Sequence, residues 1–269
     1  MMGEIVGRDS TPPAVRQRGW SAGAVMGVPV TVQPGSLILF GLVTVLLGWR
    51  VLPGGVPGAA PVACWITGLV VAALFVGGVL AHELGHALAA RRRAVKADGI
   101  SLSLLGGVTH LPGRLPDPAA VWRVAVAGPA VTLTVGTGFY GVALVADAGG
   151  GTLVGMGATW LAYTNIWIGA LNLLPGAPFD GGHILSAALW RWGGEQGRAG
   201  HLAARAGQGL GLIVLGAAIV QAATGGLTGM WLGALGGFML ISATAADRPE
   251  RQPATPDPGR ADDDLAQHR

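Results

Sequence analysis

Charge is missing from most of this chain. No Asp, Glu, Lys, Arg or His occurs in residues 19–49, 51–81, 124–146, 148–179 or 206–246. Each run is long enough for at least one helix of the ~20 apolar residues that cross a bilayer. Helices of a large soluble core carry polar stripes at helical spacing, and these segments carry none, which excludes an ordinary soluble helical domain. Cysteine is almost absent too. Cys64, inside an apolar run, is the single one, so an internal disulfide and a cysteine zinc cluster are both excluded. The first 20 residues lack the apolar centre of a signal peptide and hold Glu4, Arg8, Asp9, Arg16 and Arg18 instead, so they read as a retained cytoplasmic arm. Nucleic acid is excluded as a partner. The net charge of +3 comes from basic residues at the ends of apolar runs, with no aromatic-interleaved patch.

What is present is apolar sequence, at 51% of the residues and a mean hydropathy of +0.54. Glycine is abundant, with 47 residues, and small residues are common where membrane helices pack closely. The last charge-free run contains Thr224-Gly225-Gly226 and reads as two spans joined by a turn. The expected fold is therefore an all-α polytopic membrane protein with about six transmembrane helices, near 33–51, 62–90, 119–146, 152–174, 206–223 and 228–246. A small cytoplasmic-side β-hairpin is expected within 97–116, where Ile100, Leu102 and Leu104 alternate with Ser101 and Ser103 before Gly106-Gly107. Basic residues in short loops mark the cytoplasmic side, and the largest cluster is Arg91, Arg92, Arg93 and Lys96. Counting spans outward from it puts both termini in the cytoplasm and leaves only Arg50 as an outer interfacial residue. The expected organisation is a cytoplasmic arm over 1–24, a membrane domain over 25–246 and a disordered cytoplasmic tail over 247–269.

Two acidic residues, Glu83 and Asp180, stand beside deep apolar sequence, where a charge is costly without a partner. Glu83 lies in His82-Glu83-Leu84-Gly85-His86. On a helix this HExxH spacing sends both histidines from one face, about 6 Å apart along the axis, so that they can share one zinc with the glutamate beside the open position. A catalytic zinc generally takes three protein ligands. Asp180 is the first candidate for the third, because Pro175-Gly176-Ala177-Pro178 breaks the preceding helix and a loop at membrane depth is tolerated where it lines a cavity. His183 is the second candidate. Depth agrees with this pairing. His86 lies about 7.5 Å of helix rise from Arg91, and Asp180 follows the cytoplasmic end of the fourth expected span.

With Asn172-Leu173-Leu174-Pro175-Gly176-Ala177-Pro178-Phe179-Asp180-Gly181-Gly182, the HExxH segment resembles the site-2 protease family of intramembrane zinc metalloproteases. The resemblance covers residues 25–246. It implies that His82, His86 and Asp180 bind one zinc ion per chain, that Glu83 is the catalytic base, and that Asn172 polarises the scissile carbonyl or holds its oxyanion. Gly128-Pro129 resembles a family element in which asparagine often follows three residues after the proline; this chain has Thr132 there. Asn165 shares the helix face of Asn172, with a hydrogen bond between spans or a catalytic role as the two readings. Neither a PDZ domain nor the nucleotide-sensing modules of some relatives fits in the sequence, which implies a minimal member.

The implied substrate is a membrane-spanning protein in the lipid bilayer, for example an anti-sigma factor or another tethered regulator. It must unwind locally before water can attack, because a helix hides its peptide groups in its own hydrogen bonds. The strand carrying Ser101, Leu102, Ser103 and Leu104, with Gly106 and Gly107, is expected to receive the unwound segment as an added strand. The alternatives are a membrane metal-ion transporter using the same ligands, which would need several weak sites along a path, and an inactive scaffold of the same fold.

Overall fold

The computed structural model describes residues 19–104, 106–147, 151–224 and 228–247. The expected tail beyond Asp247, the arm up to Arg18 and Leu105 lie outside the described residues. The chain runs β1 (Trp20–Val25), β2 (Val28–Val32), α1 (Pro34–Leu46), a π turn (Leu47–Val51), α2 (Leu52–Gly55) and α3 (Pro61–Arg91). There follow β3 (Gly99–Ser103), β4 (Gly106–His110), α4 (Pro118–Ala146), α5 (Leu153–Asn172), α6 (Asp180–Gly193), α7 (Gln196–Ala223) and α8 (Thr228–Ala246).

Among the described residues, five helical segments are long and apolar enough to cross a membrane: Pro34–Gly55, Pro61–Arg91, Pro118–Ala146, Gln196–Ala223 and Gly229–Ala246. This is a multi-pass membrane protein with one fewer such span than expected. The difference is α5, which has the length at 20 residues but carries Tyr163-Thr164-Asn165 and Asn172 within it. Of these, Asn165 is turned inward at only 2% exposure, whereas Tyr163 is 58% exposed. Elsewhere the polarity is reversed relative to a soluble protein. Leu37, Ile38, Val62, Ile66, Val145 and Ile213 are large, apolar and exposed, as befits surfaces solvated by lipid.

Helix boundaries follow local chemistry. Proline opens α1, α3 and α4, where its missing amide costs nothing. Asp117 caps α4 by accepting from Ala120 N, and Thr152 caps α5 by accepting from Gly155 N. Between α1, α3 and α5 a core forms around Val43, Leu47, Leu52, Val71, Phe75 and Leu161. Cys64 sits in it as a small buried hydrophobe.

The expected hairpin is real but larger. A second hairpin, β1–β2, joins it to make a four-stranded sheet of order β1-β2-β3-β4. Strand β1 begins at Trp20, so part of the segment expected to be an arm over 1–24 is paired into the sheet. The β2–β3 pair is parallel and the other two are antiparallel. A parallel pair requires a crossover, and here the crossover consists of α1 and α3, which carry the chain through the membrane and back. Buried Val28, Val30, Ile100 and Leu102 pack the sheet onto the end of α3 around Ala87. That packing brings β4 beside the HExxH turn.

Candidate metal centre

Four helices contribute to one polar site in an apolar surround. Helix α3 supplies His82, Glu83 and His86, all buried, and α6 supplies Asp180 at its first residue, directly after the break that follows α5. His82 Nε2 is 3.1 Å from Asp180 Oδ2, His86 Nε2 is 3.3 Å from Asp180 Oδ1, and the two Nε2 atoms are 3.1 Å apart.

Helix α4 decides what these atoms carry. His86 Nδ1 lies 2.7 Å from the carbonyl oxygen of Val124, which only accepts, so Nδ1 holds the proton and Nε2 presents its lone pair. His82 Nδ1 lies 2.8 Å from Thr132 Oγ1, whose own hydroxyl donates to the Gly128 carbonyl at 3.2 Å. Nδ1 is again the donor and Nε2 the lone pair. Two imidazole lone pairs and a carboxylate therefore face one another at close range. Asp180 Oδ2 is buried and no described residue gives it a hydrogen bond. Acceptors in that arrangement repel unless a cation lies among them. Tetrahedral zinc bonded at 2.0–2.2 Å separates its ligand atoms by about 3.3 Å, close to the spacing found, and two imidazoles with a carboxylate are a donor set that zinc accepts.

Position separates the two candidates for the third ligand. His82, His86 and Asp180 form the group able to hold an ion, with one ligand atom each within 4.8 Å of the others. His183 lies one turn along α6 and lines the adjoining cavity beside Asp180 without joining that group.

Glu83 is 6% exposed and is seated by β4. Thr109 Oγ1 lies 2.7 Å from Glu83 Oε2 and 3.0 Å from its backbone oxygen, so its single proton serves one or the other. A Cβ at Gly107 would collide with the Glu83 side chain, so only glycine lets the strand approach so closely. Thr109 escaped the sequence reading because a threonine two residues past a glycine pair carries no signal until the strand is docked.

Two cavities meet at this site. One, of about 320 Å³, includes Val108, Leu115, Val124 and Pro178; the other, of about 280 Å³, includes Leu39, Phe75, Gly78 and Ile168. His82, Glu83, Gly107 and Asn172 line both. Asn172 Nδ2 donates to the Ile168 carbonyl at 3.0 Å, which leaves its second N–H and its Oδ1 for the cavities. Among the described residues, Asn165 makes no hydrogen bond between spans. Its Nδ2 donates instead to Leu161 O of its own helix at 2.8 Å.

The expected substrate strand needs correction. Strand β3 is interior, with Ser101 and Leu102 paired to β2 on one side and β4 on the other, so it has no edge left for an added strand. Ser101 and Leu102 are buried, Ser103 pairs with Gly106, and Leu104 lies beyond the strand. The available edge is that of β4, which carries Gly106 and Gly107.

The profile of Peptidase family M50 matches residues 70–149 and 151–214, which include both motifs. The chain belongs to peptidase family M50. Its M50 relatives include "Putative zinc metalloprotease Rip3" of Mycobacterium tuberculosis, 40% identical over 223 residues, covering 82% of this chain and 56% of that protein. "Zinc metalloprotease MJ0392" of Methanocaldococcus jannaschii is 31% identical over 195 residues, covering 71% of this chain and 51% of that one. The chain thus spans about half the length of the curated M50 relatives it matches. Among solved structures, the site-2 protease from Methanocaldococcus jannaschii superposes with a TM-score of 0.58 at 25% identity, over 88% of this chain and 99% of that one. The resemblance read from the two motifs is borne out at the level of family and fold.

Thr132 stands where the resemblance led to expect asparagine, and the geometry gives it a task, fixing the tautomer of His82. A Thr132→Val protein is expected to fold and to bind zinc roughly 10- to 100-fold more weakly, and Thr132→Ser to restore affinity, measured by competition with a zinc chelator.

Proposed function

We propose that this protein is an intramembrane zinc metalloprotease that hydrolyses peptide bonds in or near transmembrane segments of membrane-tethered proteins. The observation that carries the reading is the convergence of His82, His86 and Asp180 next to a buried carboxylate, Glu83, on a helix apolar enough to cross the membrane. A bare binding site would gain nothing from that carboxylate.

His82, His86 and Asp180 would hold the ion, and the ion when bound supplies Lewis acidity and makes water acidic enough to yield a nucleophile near neutral pH. Glu83, held by Thr109, accepts the proton of the attacking water and delivers it to the leaving amine. Asn172 turns its second N–H to the scissile carbonyl. The unwound substrate adds to the β4 edge at Gly106 and Gly107, where main-chain pairing satisfies peptide groups that the bilayer cannot. Low side-chain bulk there leaves room for the incoming chain. The basic cluster from Arg91 to Lys96 sets this end of α3 on the cytoplasmic side, and α5, long enough to cross although less apolar, completes an even number of passages that brings both termini to that side. The substrate class is a single-span protein such as an anti-sigma factor or another tethered regulator.

The test is comparative proteomics of membrane fragments in cells carrying the wild-type protein or Glu83→Ala. Membrane-anchored fragments are expected to accumulate with the variant, and each would name a substrate. Identical profiles would count against proteolysis.

A further inference from the structure

An unwound segment has two edges of N–H and C=O groups, and the β4 edge can pair with one of them. In apolar surroundings the other edge needs partners as well. Resting on the proteolytic reading above, we propose that Asn165 is a positioning residue whose Oδ1 accepts a hydrogen bond from a peptide N–H on that second edge of the substrate.

Three observations lead there. First, the orientation of the Asn165 carboxamide is fixed, because its Nδ2 faces the Leu161 carbonyl at 2.8 Å and a carbonyl only accepts. Oδ1 is thereby the free end, and no described residue donates to it. Second, the residue is 2% exposed and lines the cavity that also holds Glu83, His82, Gly106 and Gly107. Oδ1 is not among the described buried atoms left without a partner, so it opens onto the cavity, where a peptide N–H of an entering segment can replace water as its donor. Third, Asn172 repeats the arrangement one heptad later, its Nδ2 on the Ile168 carbonyl at 3.0 Å, and lines the same cavity. Two carboxamides, each tied back to its own helix, form a short polar rail along α5.

The rail has a length and a direction. Seven residues of helix rise about 10.5 Å, which is about three residues of extended chain. Gly78, which lines this cavity, precedes His82 by four residues on α3, so the cavity extends from the metal ligands away from the Arg91 end. Asn165 then holds the substrate about three residues from the scissile bond on the deeper side, while Asn172 holds the scissile carbonyl. A side chain that only filled space between helices would be served better by leucine.

The experiment is an amide-to-ester scan of a synthetic transmembrane peptide in vesicles, each ester deleting one N–H donor, with kcat/KM read for wild type and Asn165→Leu, both loaded with zinc. Ester substitution loosens the substrate helix for both enzymes alike, so the comparison isolates the enzyme contact. One ester about three residues from the cleaved bond is expected to slow the wild type roughly 2- to 10-fold and to leave the variant unaffected. Parallel profiles at every position would overturn the assignment while leaving proteolysis intact. Failure of the wild type to cut the all-amide peptide would overturn the proteolytic reading and this inference together. Asn165→Ala provides the same comparison if leucine prevents folding.

Discussion

A Glu83→Gln protein is expected to retain zinc at the wild-type stoichiometry and to lose cleavage by roughly 10²- to 10⁴-fold, the range ascribed to positioned general acid–base groups. The separation of the two effects follows from the geometry. Glu83 is not one of the converging ligands; it is held from the other side by Thr109, which can hydrogen-bond to the glutamine amide oxygen as it does to Oε2. Metal content by mass spectrometry and turnover of a reconstituted substrate measure the two quantities independently. If zinc fell with activity, Glu83 would be a ligand and the division of labour would be wrong. A metal-ion transporter using the same site would keep its flux.

Gly128→Ala is expected to abolish metal binding, and cleavage with it, and to lower stability by about 1–3 kcal/mol. A Cβ at this position would meet Nε2 and Cε1 of His86 and come within 2.7 Å of His82 Nε2. It would enter the space between the two ligand atoms. The imidazoles cannot swing aside cheaply, since their Nδ1 atoms are tied to Val124 and Thr132 on that same helix. Gly128 is buried, so the gain of about 0.5–1 kcal/mol that alanine brings to an exposed helix interior is outweighed by the overpacking. The loss of metal affinity is expected to be far larger than the loss of stability. Zinc titration beside thermal unfolding of the metal-free protein separates them: a lower Tm with zinc binding preserved would mean that Gly128 serves only helix packing.

The metal ligands were legible because charge is so scarce. In a soluble protein His82, Glu83 and His86 would compete with many chance matches, whereas here they interrupt an apolar helix, and Asp180 follows a segment that cannot be helical. The spans were legible for the same reason. What escaped depended on neighbours distant in sequence. The β2 strand, Val28–Val32, sits inside a charge-free run that merges into α1, so hydropathy could not mark where strand became helix. Whether β3 or β4 is the edge depends on pairing with β2, contributed from across two membrane passages. α5 fell short of the other spans because Asn165 and Asn172 face an interior cavity, and hydropathy averages over faces. Thr132 was read through a family position occupied by another residue, and its partner became visible only with α3 and α4 packed together.

The parallel pairing of β2 with β3 bears on biogenesis. The ribosome delivers β1 and β2 first, yet their third neighbour emerges only after α1 and α3 have been threaded out and back, and Asp180 later still. Contacts so remote along the chain form late. A nascent or half-inserted polypeptide therefore has neither the finished sheet nor the full cluster of His82, His86 and Asp180, and the site stays incomplete until insertion is finished.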